Sequence, residues 1–284
     1  MIQATLFSDP ACPWAYSGAP ALRVLEWRYG EQLSWRLVLI GLTEDASQYA
    51  ARGYTPLRGA LGQALFRRRY GMPFAAAPKQ RLSATARACR AVIAARIDRP
   101  GSEWRVFRAL QLANFTTPTI LDDDADLLTA LRSLPEIDAE AIVGRIDAPD
   151  VVEAYGHDKE ESRQAAGSAA ELQGKTRVTD GPVRFTAPSV VFQSDGLRLV
   201  AGGFQPVEAY DILAARPRAR VLTFGAGIHY CLGANLARAE MEEAVAFLAE
   251  RVEEIHIEGA PELGTPSGIY GVDRLELTLR RAAT

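Results

Sequence analysis

Cysteine and histidine are scarce, with three of each in 284 residues. Cys12, Cys89 and Cys231 are odd in number and far apart, which argues against a disulfide framework and fits a reducing compartment. His157 and His256 stand at no metal-ligand spacing from each other or from cysteine, so neither is assigned a role. The chain also lacks an excess of one charge, carrying 32 Lys and Arg against 35 Asp and Glu, and it has no apolar run of membrane-spanning length. Neither a nucleic-acid nor a membrane partner is expected. The basic cluster Arg67-Arg68-Arg69 reads as a solvated helix face. Met1 to Asp9 shows no basic lead followed by an apolar run and a cleavage site, so the expected location is the cytoplasm. No glycine-serine linker separates one part of the chain from another.

What is present is a soluble globular composition, 48% hydrophobic and 24% charged, at a length sufficient for about two domains. Residues 2–8 alternate and are β-prone, an apolar-periodic stretch runs from Ala15 to Tyr29, and Leu33 to Leu42 is a near-continuous apolar run of buried-strand type. From about Pro56 to Ser168 the periodicity turns helical in six successive runs. Ser83, Asp138 and Asp150 precede three of those runs as candidate N-caps. A β-hairpin follows, Val190 to Gln193 and Leu197 to Val200, with its turn at Ser194-Asp195-Gly196. Gln205 to Leu213 then reads as a helix with Pro206 in its first turn.

This order, with Cys12-Pro13-Trp14-Ala15 at the start of the first helix and Thr186-Ala187-Pro188-Ser189 ahead of the third strand, resembles the DsbA-like thioredoxin-fold family. The segment from Ala154 (AYGHDKEESRQAAGS), Gly203-Phe204-Gln205-Pro206 and Ala209-Tyr210 extend the resemblance over residues 1–213. It implies an α/β thioredoxin fold carrying a large helical insertion: β-α-β in 1–55, the insertion in 56–168, and β-β-α in 169–215. It also implies a cis peptide at Pro188, with Ala187 and Pro188 lining a substrate groove beside Cys12.

The family pattern is C-P-x-C, and here the second cysteine is Ala15, so a mixed disulfide on Cys12 needs an external thiol for its release. A helix N-terminus favours an anion, and Cys12 is therefore expected to be a tuned thiolate. The candidate catalytic segment is Cys12, Pro13 and Trp14, with Trp14 and Tyr16 as pocket walls and Tyr16 joining Ala187 and Pro188 in binding substrate. The function implied is a single-cysteine thiol-disulfide oxidoreductase or thiol transferase. It would act on a small thiol or peptide disulfide with a low-molecular-weight thiol as cofactor. Two alternatives are a glutathione-dependent isomerase or transferase and a non-catalytic peptide-binding module. Cys89, among alanines on a helical stretch, reads as core packing.

From Ala219 the sequence changes character. Phe224-Gly225-Ala226-Gly227-Ile228-His229-Tyr230-Cys231-Leu232-Gly233 has the F-x-x-G-x-x-x-C-x-G form of a haem-thiolate loop, and residues 216–284 resemble the C-terminal portion of a cytochrome P-450. That resemblance implies Cys231 as a haem-iron ligand, with Phe224, Gly227, His229 and Gly233 around it, and a haem-thiolate protein as a further alternative. After Cys231, Met241, Ala244, Val245, Leu248 and Val252 recur at helical spacing. The fragment supplies one haem wall, and the oxygen-activating helix has no counterpart upstream, so monooxygenation is not expected. Homodimerisation through this tail would cover its apolar faces. Glu160-Glu161-Ser162-Arg163 imitates the E-x-x-R motif of the same family but reads as a solvated helix face.

Overall fold

A computed structural model of the chain describes residues 1–194, 196–215, 234–260, 262–264 and 271–281. It divides into two units, Met1–Arg220 and Val221–Thr284.

In the first unit β1 (Ile2–Ser8) leads into α1 (Pro13–Tyr29) and β2 (Leu33–Leu39). A long helical passage follows: α2 (Ser47–Ala51), α3 (Pro56–Tyr70), α4 (Ala86–Asp98), α5 (Glu103–Thr116), α6 (Asp124–Leu131), α7 (Ala139–Gly144), α8 (Pro149–Ser162) and α9 (Ala169–Leu172). The chain then forms β3 (Thr176–Arg177), β4 (Arg184–Phe185), β5 (Ser189–Ser194), β6 (Leu197–Ala201) and α10 (Val207–Ala215). The main sheet has the order β2-β1-β5-β6. β1 and β2 run parallel, while β5 is antiparallel to both β1 and β6. This is the α/β thioredoxin fold with a large helical insertion.

Both sheet faces are covered, as the apolar runs require. Ile2, Ala4, Leu6, Leu37, Leu39, Val190 and Phe192 belong to one core with Leu22 and Leu25 of α1, Tyr210 of α10 and most of α4. The intervening Phe7, Val38, Ile40 and Val191 belong to a second core with Phe185, Ala187 and Cys12. One-residue alternation along each strand thus separates a structural face from the face that carries the thiol. Ala88, Ala91, Ala94 and Ala95 are fully buried on α4, where small side chains allow it to pack closely on α5 and α8.

The caps differ in part from expectation. Asp138 caps α7, accepting from the Ala141 amide at 2.9 Å. Asp123 does the same for α6 at 3.1 Å, a cap the sequence reading passed over. Ser83 is not a cap, because α4 starts later, after Thr85, whose hydroxyl is committed to Asp9. Asp150 lies inside the first turn of α8, whose N-cap is Ala148 and whose Pro149 sets the first helical residue. The E-x-x-R segment also departs from its reading. Arg163 is buried and donates to the Ile40 carbonyl at 3.0 Å and to Asp180 at 2.6 Å, while Glu161 pairs with Arg36. It ties α8 to the end of β2.

In the second unit α11 (Ala234–Ala249) precedes β7 (Val252–Ile257), β8 (Glu262–Gly264), β9 (Gly271–Arg274) and β10 (Leu277–Arg281). β7 pairs with β10 and β8 with β9, both antiparallel. Cys231, Phe224, Gly227, His229 and Gly233 lie outside the described residues. No helix among the described residues is long and apolar enough to cross a membrane.

Candidate active site

Cys12 is the N-cap residue of α1, in extended backbone, with Pro13 opening the helix. Pro13 suits this position because the first helical amide has no intrahelical partner to lose. The segment before it is anchored by Asp9, whose carboxylate is fully buried at the end of β1. Asp9 accepts from the amides of Ala11 at 2.8 Å and Leu42 at 2.9 Å, from the Thr85 hydroxyl at 2.9 Å, and from the Cys89 thiol at 3.5 Å. Burial raises its pKa and those donors hold it down. Cys89 is thus core packing, as read, with a polar attachment to the same carboxyl.

The Cys12 thiol is 5% exposed and donates to the Ala187 carbonyl at 3.1 Å. The Ala187-Pro188 peptide is cis. Only a protonated thiol can make that bond, and burial pushes the Cys12 pKa up to about 12. The first-turn amide of Ala15 pulls it down, the Asp9 charge pushes it further up, and the Trp14 amide and Arg184 pull it down. The expected tuned thiolate is therefore corrected. The helix N-terminus acts in the expected direction, but exclusion of water from the sulfur outweighs it.

Cys12 lies in the wall of a cavity of about 950 Å³, near the top of the roughly 300–1,000 Å³ range of small-molecule sites. Trp14, 42% exposed, Phe66 and Tyr70 of α3, and Phe204 form an aromatic side, with Trp14 at 4.7 Å from Phe66 and Tyr70 at 4.9 Å from Phe204 by ring centroids. Gly18 permits this: a Cβ there would stand 3.3 Å from the Phe204 ring and 3.7 Å from Pro188. Ala187 also lines the cavity. Pro188 is buried behind it.

Tyr16 does not line the cavity. It is fully buried against Phe74 and Phe115, with its hydroxyl donating to the Pro73 carbonyl at 2.9 Å. The expectation that it touches substrate is corrected: one helical turn beyond Cys12, it points into the insertion.

The sequence reading missed the cavity's charge. Arg52, Arg58, Arg69, Lys79, Arg81, Lys175, Arg177 and Arg184 line it, and no carboxylate does among the described lining residues. Arg81 pairs with Asp122 at 2.6 Å. The other seven have no ion-pair partner among the described residues, although the chain is otherwise rich in Arg-carboxylate pairs such as Arg87–Asp124 and Arg96–Asp158. Arg184 is 6% exposed, with its Nε donating to the Thr179 hydroxyl at 3.1 Å and another nitrogen to the Phe185 carbonyl at 2.9 Å. Burial lowers its pKa. Lys79 donates to Asn114 and the Thr119 carbonyl, and burial lowers its pKa to about 8. Among the described residues, no group of three His, Cys, Asp or Glu is placed to hold a metal.

No protein-family model matches the chain. Among solved structures, the chain is similar to the cytosolic disulfide reductase DsbM from Pseudomonas aeruginosa, at 17% identity and a TM-score of 0.54 over 77% of this chain and 100% of that one. DsbM solved with GSH superposes at 0.53. A DsbA-type oxidoreductase from Streptomyces coelicolor gives 0.58 at 15% identity, covering 78% of this chain and 92% of that one. These likenesses establish the DsbA-like thioredoxin fold. Curated relatives are cytochromes P-450 and related monooxygenases. Cyclomarin C epoxidase CymV from Salinispora arenicola is 31% identical over 179 residues, 60% of this chain and 42% of that protein. Pentalenic acid synthase from Streptomyces avermitilis is 46% identical over 63 residues, 22% of this chain and 15% of that protein. The chain therefore spans less than half the length of these relatives, and the likeness is that of a fusion between a DsbA-like body and a P-450-like C-terminal portion.

Proposed function

We propose that the chain is a single-cysteine thiol-disulfide oxidoreductase or thiol transferase that uses Cys12 against low-molecular-weight thiols and their disulfides in a reducing cytoplasm. The observation that carries this reading is one buried thiol at a helix N-terminus, bonded to the carbonyl ahead of cis-Pro188 and opening into a cavity of small-molecule size. Cys89 is held at Asp9 in the core and takes no part in this exchange.

In the first step the Cys12 sulfur attacks one sulfur of a substrate disulfide. The Cys12–substrate sulfur bond forms, the substrate disulfide breaks, and the Cys12 proton goes to the departing thiolate. In the second step an external thiol attacks the substrate sulfur of the mixed disulfide, the bond to Cys12 breaks, and the incoming thiol's proton returns to Cys12. The exchange is redox-neutral overall. The first-turn amides of Trp14 and Ala15, together with Arg184, stabilise the transient thiolate on Cys12. Because that thiolate is otherwise disfavoured, Cys12 is a poor leaving group, and release of the mixed disulfide by external thiol is the slower half of the exchange.

The test is release of a small thiol from a mixed-disulfide peptide in the presence of excess external thiol. Wild type should turn over and Cys12→Ser should not. Equal activity in the serine variant would favour the isomerase or transferase reading instead, in which the helix N-terminus activates a bound thiol and the protonated Cys12 serves only as a wall.

A haem-thiolate reading rests on the similarity of the C-terminal portion to P-450 proteins. Its ligand Cys231 lies outside the described residues, and the described helix of that unit is α11 alone, so no chemical step is assigned to it. Added haem, reduced under carbon monoxide, should give no thiolate-type Soret band if the chain works only through Cys12. A homodimer through the second unit, where Val245, Phe247, Ile255 and Ile257 are exposed, would sediment above the monomer mass.

A further inference from the structure

The cavity beside Cys12 carries more positive charge than a thiol exchange site needs. Among the described lining residues eight side chains are cationic and none is a carboxylate, in a chain with more acidic than basic residues overall. Many arginines elsewhere in the chain pair with carboxylates, as Arg87, Arg132 and Arg145 do. Arg52, Arg58, Arg69, Lys175 and Arg177 are exposed around the cavity with no ion-pair partner among the described residues. Arg184 is a sharper case. It is buried in the wall of the same cavity as Cys12 and has no ion-pair partner among the described residues, the Asp9 and Asp180 charges acting on it only from beyond contact distance. Aromatic rings are interleaved with these cations in the lining, Arg58 lying over Tyr54 and Arg69 over Tyr70, with Trp14 and Tyr54 each nearly half exposed.

Resting on the assignment of Cys12 as the exchanging thiol, we propose that this cavity binds a polyanionic, phosphate-bearing thiol with an aromatic base, the chemistry of coenzyme A, as the exchange partner of Cys12. Guanidinium forks are suited to phosphate oxygens, and ring faces such as those of Trp14 and Tyr54 offer a stacking surface for the base. A tripeptide thiol is a poorer fit, because its ammonium group would face cations with no carboxylate in the wall to receive it. The step is the second half of the exchange. The ligand thiol bonds to the substrate sulfur, the Cys12–sulfur bond breaks, and the ligand's proton passes to Cys12. The ligand leaves as a mixed disulfide, and Cys12 returns as a thiol.

The experiment is calorimetric titration of full-length Cys12→Ser protein, which cannot exchange, with coenzyme A, pantetheine and glutathione. Coenzyme A should bind at least about fiftyfold tighter than pantetheine, which has the same thiol arm without the phosphates beyond it, and tighter than glutathione. Arg52→Gln and Lys175→Gln, both at exposed positions, should each weaken coenzyme A about tenfold and leave pantetheine unchanged. Raising the salt should weaken coenzyme A alone. Pantetheine or glutathione binding as tightly as coenzyme A, or variants that bind coenzyme A as wild type does, would overturn the proposal. Exchange with the uncharged 2-hydroxyethyl disulfide reports separately on Cys12. Its loss with coenzyme A binding intact sinks the exchange reading, and the reverse result sinks the ligand class.

Discussion

Alkylation of Cys12 by iodoacetamide should be slow at neutral pH and should quicken with pH far beyond the range of an ordinary cysteine. An unperturbed thiol of pKa ~8.5 is about 3% thiolate at pH 7, whereas a thiol pushed up to about 12 is ionised in roughly one molecule in 100,000. The ratio is about 3,000. A more basic thiolate is more nucleophilic, and a Brønsted slope of about 0.4–0.5 over ~3.5 pKa units returns roughly 25- to 55-fold. The net expectation is therefore a native rate about a hundredfold below that of the same peptide in denatured protein, before any further loss from burial. The assay follows Cys12 carbamidomethylation by peptide mass spectrometry between pH 6 and 11, in native and in denatured chain. The native rate should climb close to tenfold per pH unit through pH 10, while the denatured rate levels off near pH 9. A native plateau below pH 8, or a native rate above the denatured one at pH 7, would refute the argument that burial outweighs the helix N-terminus.

Three further outcomes follow from neighbouring contacts. Asp9→Asn removes a negative charge that opposes the Cys12 thiolate and should speed Cys12 alkylation at pH 8, while the acceptor it takes from one of Ala11, Leu42 or Thr85 should lower stability by about 1–3 kcal/mol in urea unfolding. Gly41→Ala meets both a φ of +63° and a Cβ position 2.0 Å from the Tyr155 hydroxyl oxygen, so thermal and urea unfolding should show a loss of roughly 2–4 kcal/mol. Lys79, held at about 8 against an ordinary 10.5, is destabilised as an ammonium in the fold. Its share of stability should rise as pH goes from about 8 towards 10.5, where only the unfolded chain still gains by binding the proton, and Lys79→Gln should flatten that rise in unfolding curves collected across the window.

Regular elements with their own hydrophobic period were legible in the sequence. The apolar alternation of 2–8, the run at Leu33 and the hairpin about Gly196 all became strands of one sheet. The pairing of Cys12 with Ala187, residues 175 apart, came only through resemblance, since no local rule links them. Tyr16 departs from expectation because Cys12 is an extended N-cap residue outside the helical periodicity, and the partners that hold the Tyr16 ring, Phe74, Phe115 and the Pro73 carbonyl, come from distant segments. Arg163 has the local context of a solvated α8 face, whereas its partners Ile40 and Asp180 come from other segments. The basic cavity was illegible for the same reason. Its cations come from α2's end, α3, the 79–81 segment and β3–β4, and in each place one or two basic residues look like an ordinary solvated surface.

The central claim is that Cys12 is the sulfur that exchanges with small disulfides. It is tested most directly by incubating native protein at pH 8 with 2-hydroxyethyl disulfide and mapping the mercaptoethanol adduct by peptide mass spectrometry. The account predicts a mixed disulfide at Cys12, none at the buried Cys89, and its release by added thiol with Cys12 regenerated. A Cys12 still unmodified after incubation far longer than the roughly hundredfold delay that its raised pKa sets relative to the denatured chain, or an adduct that external thiol does not remove, would contradict it.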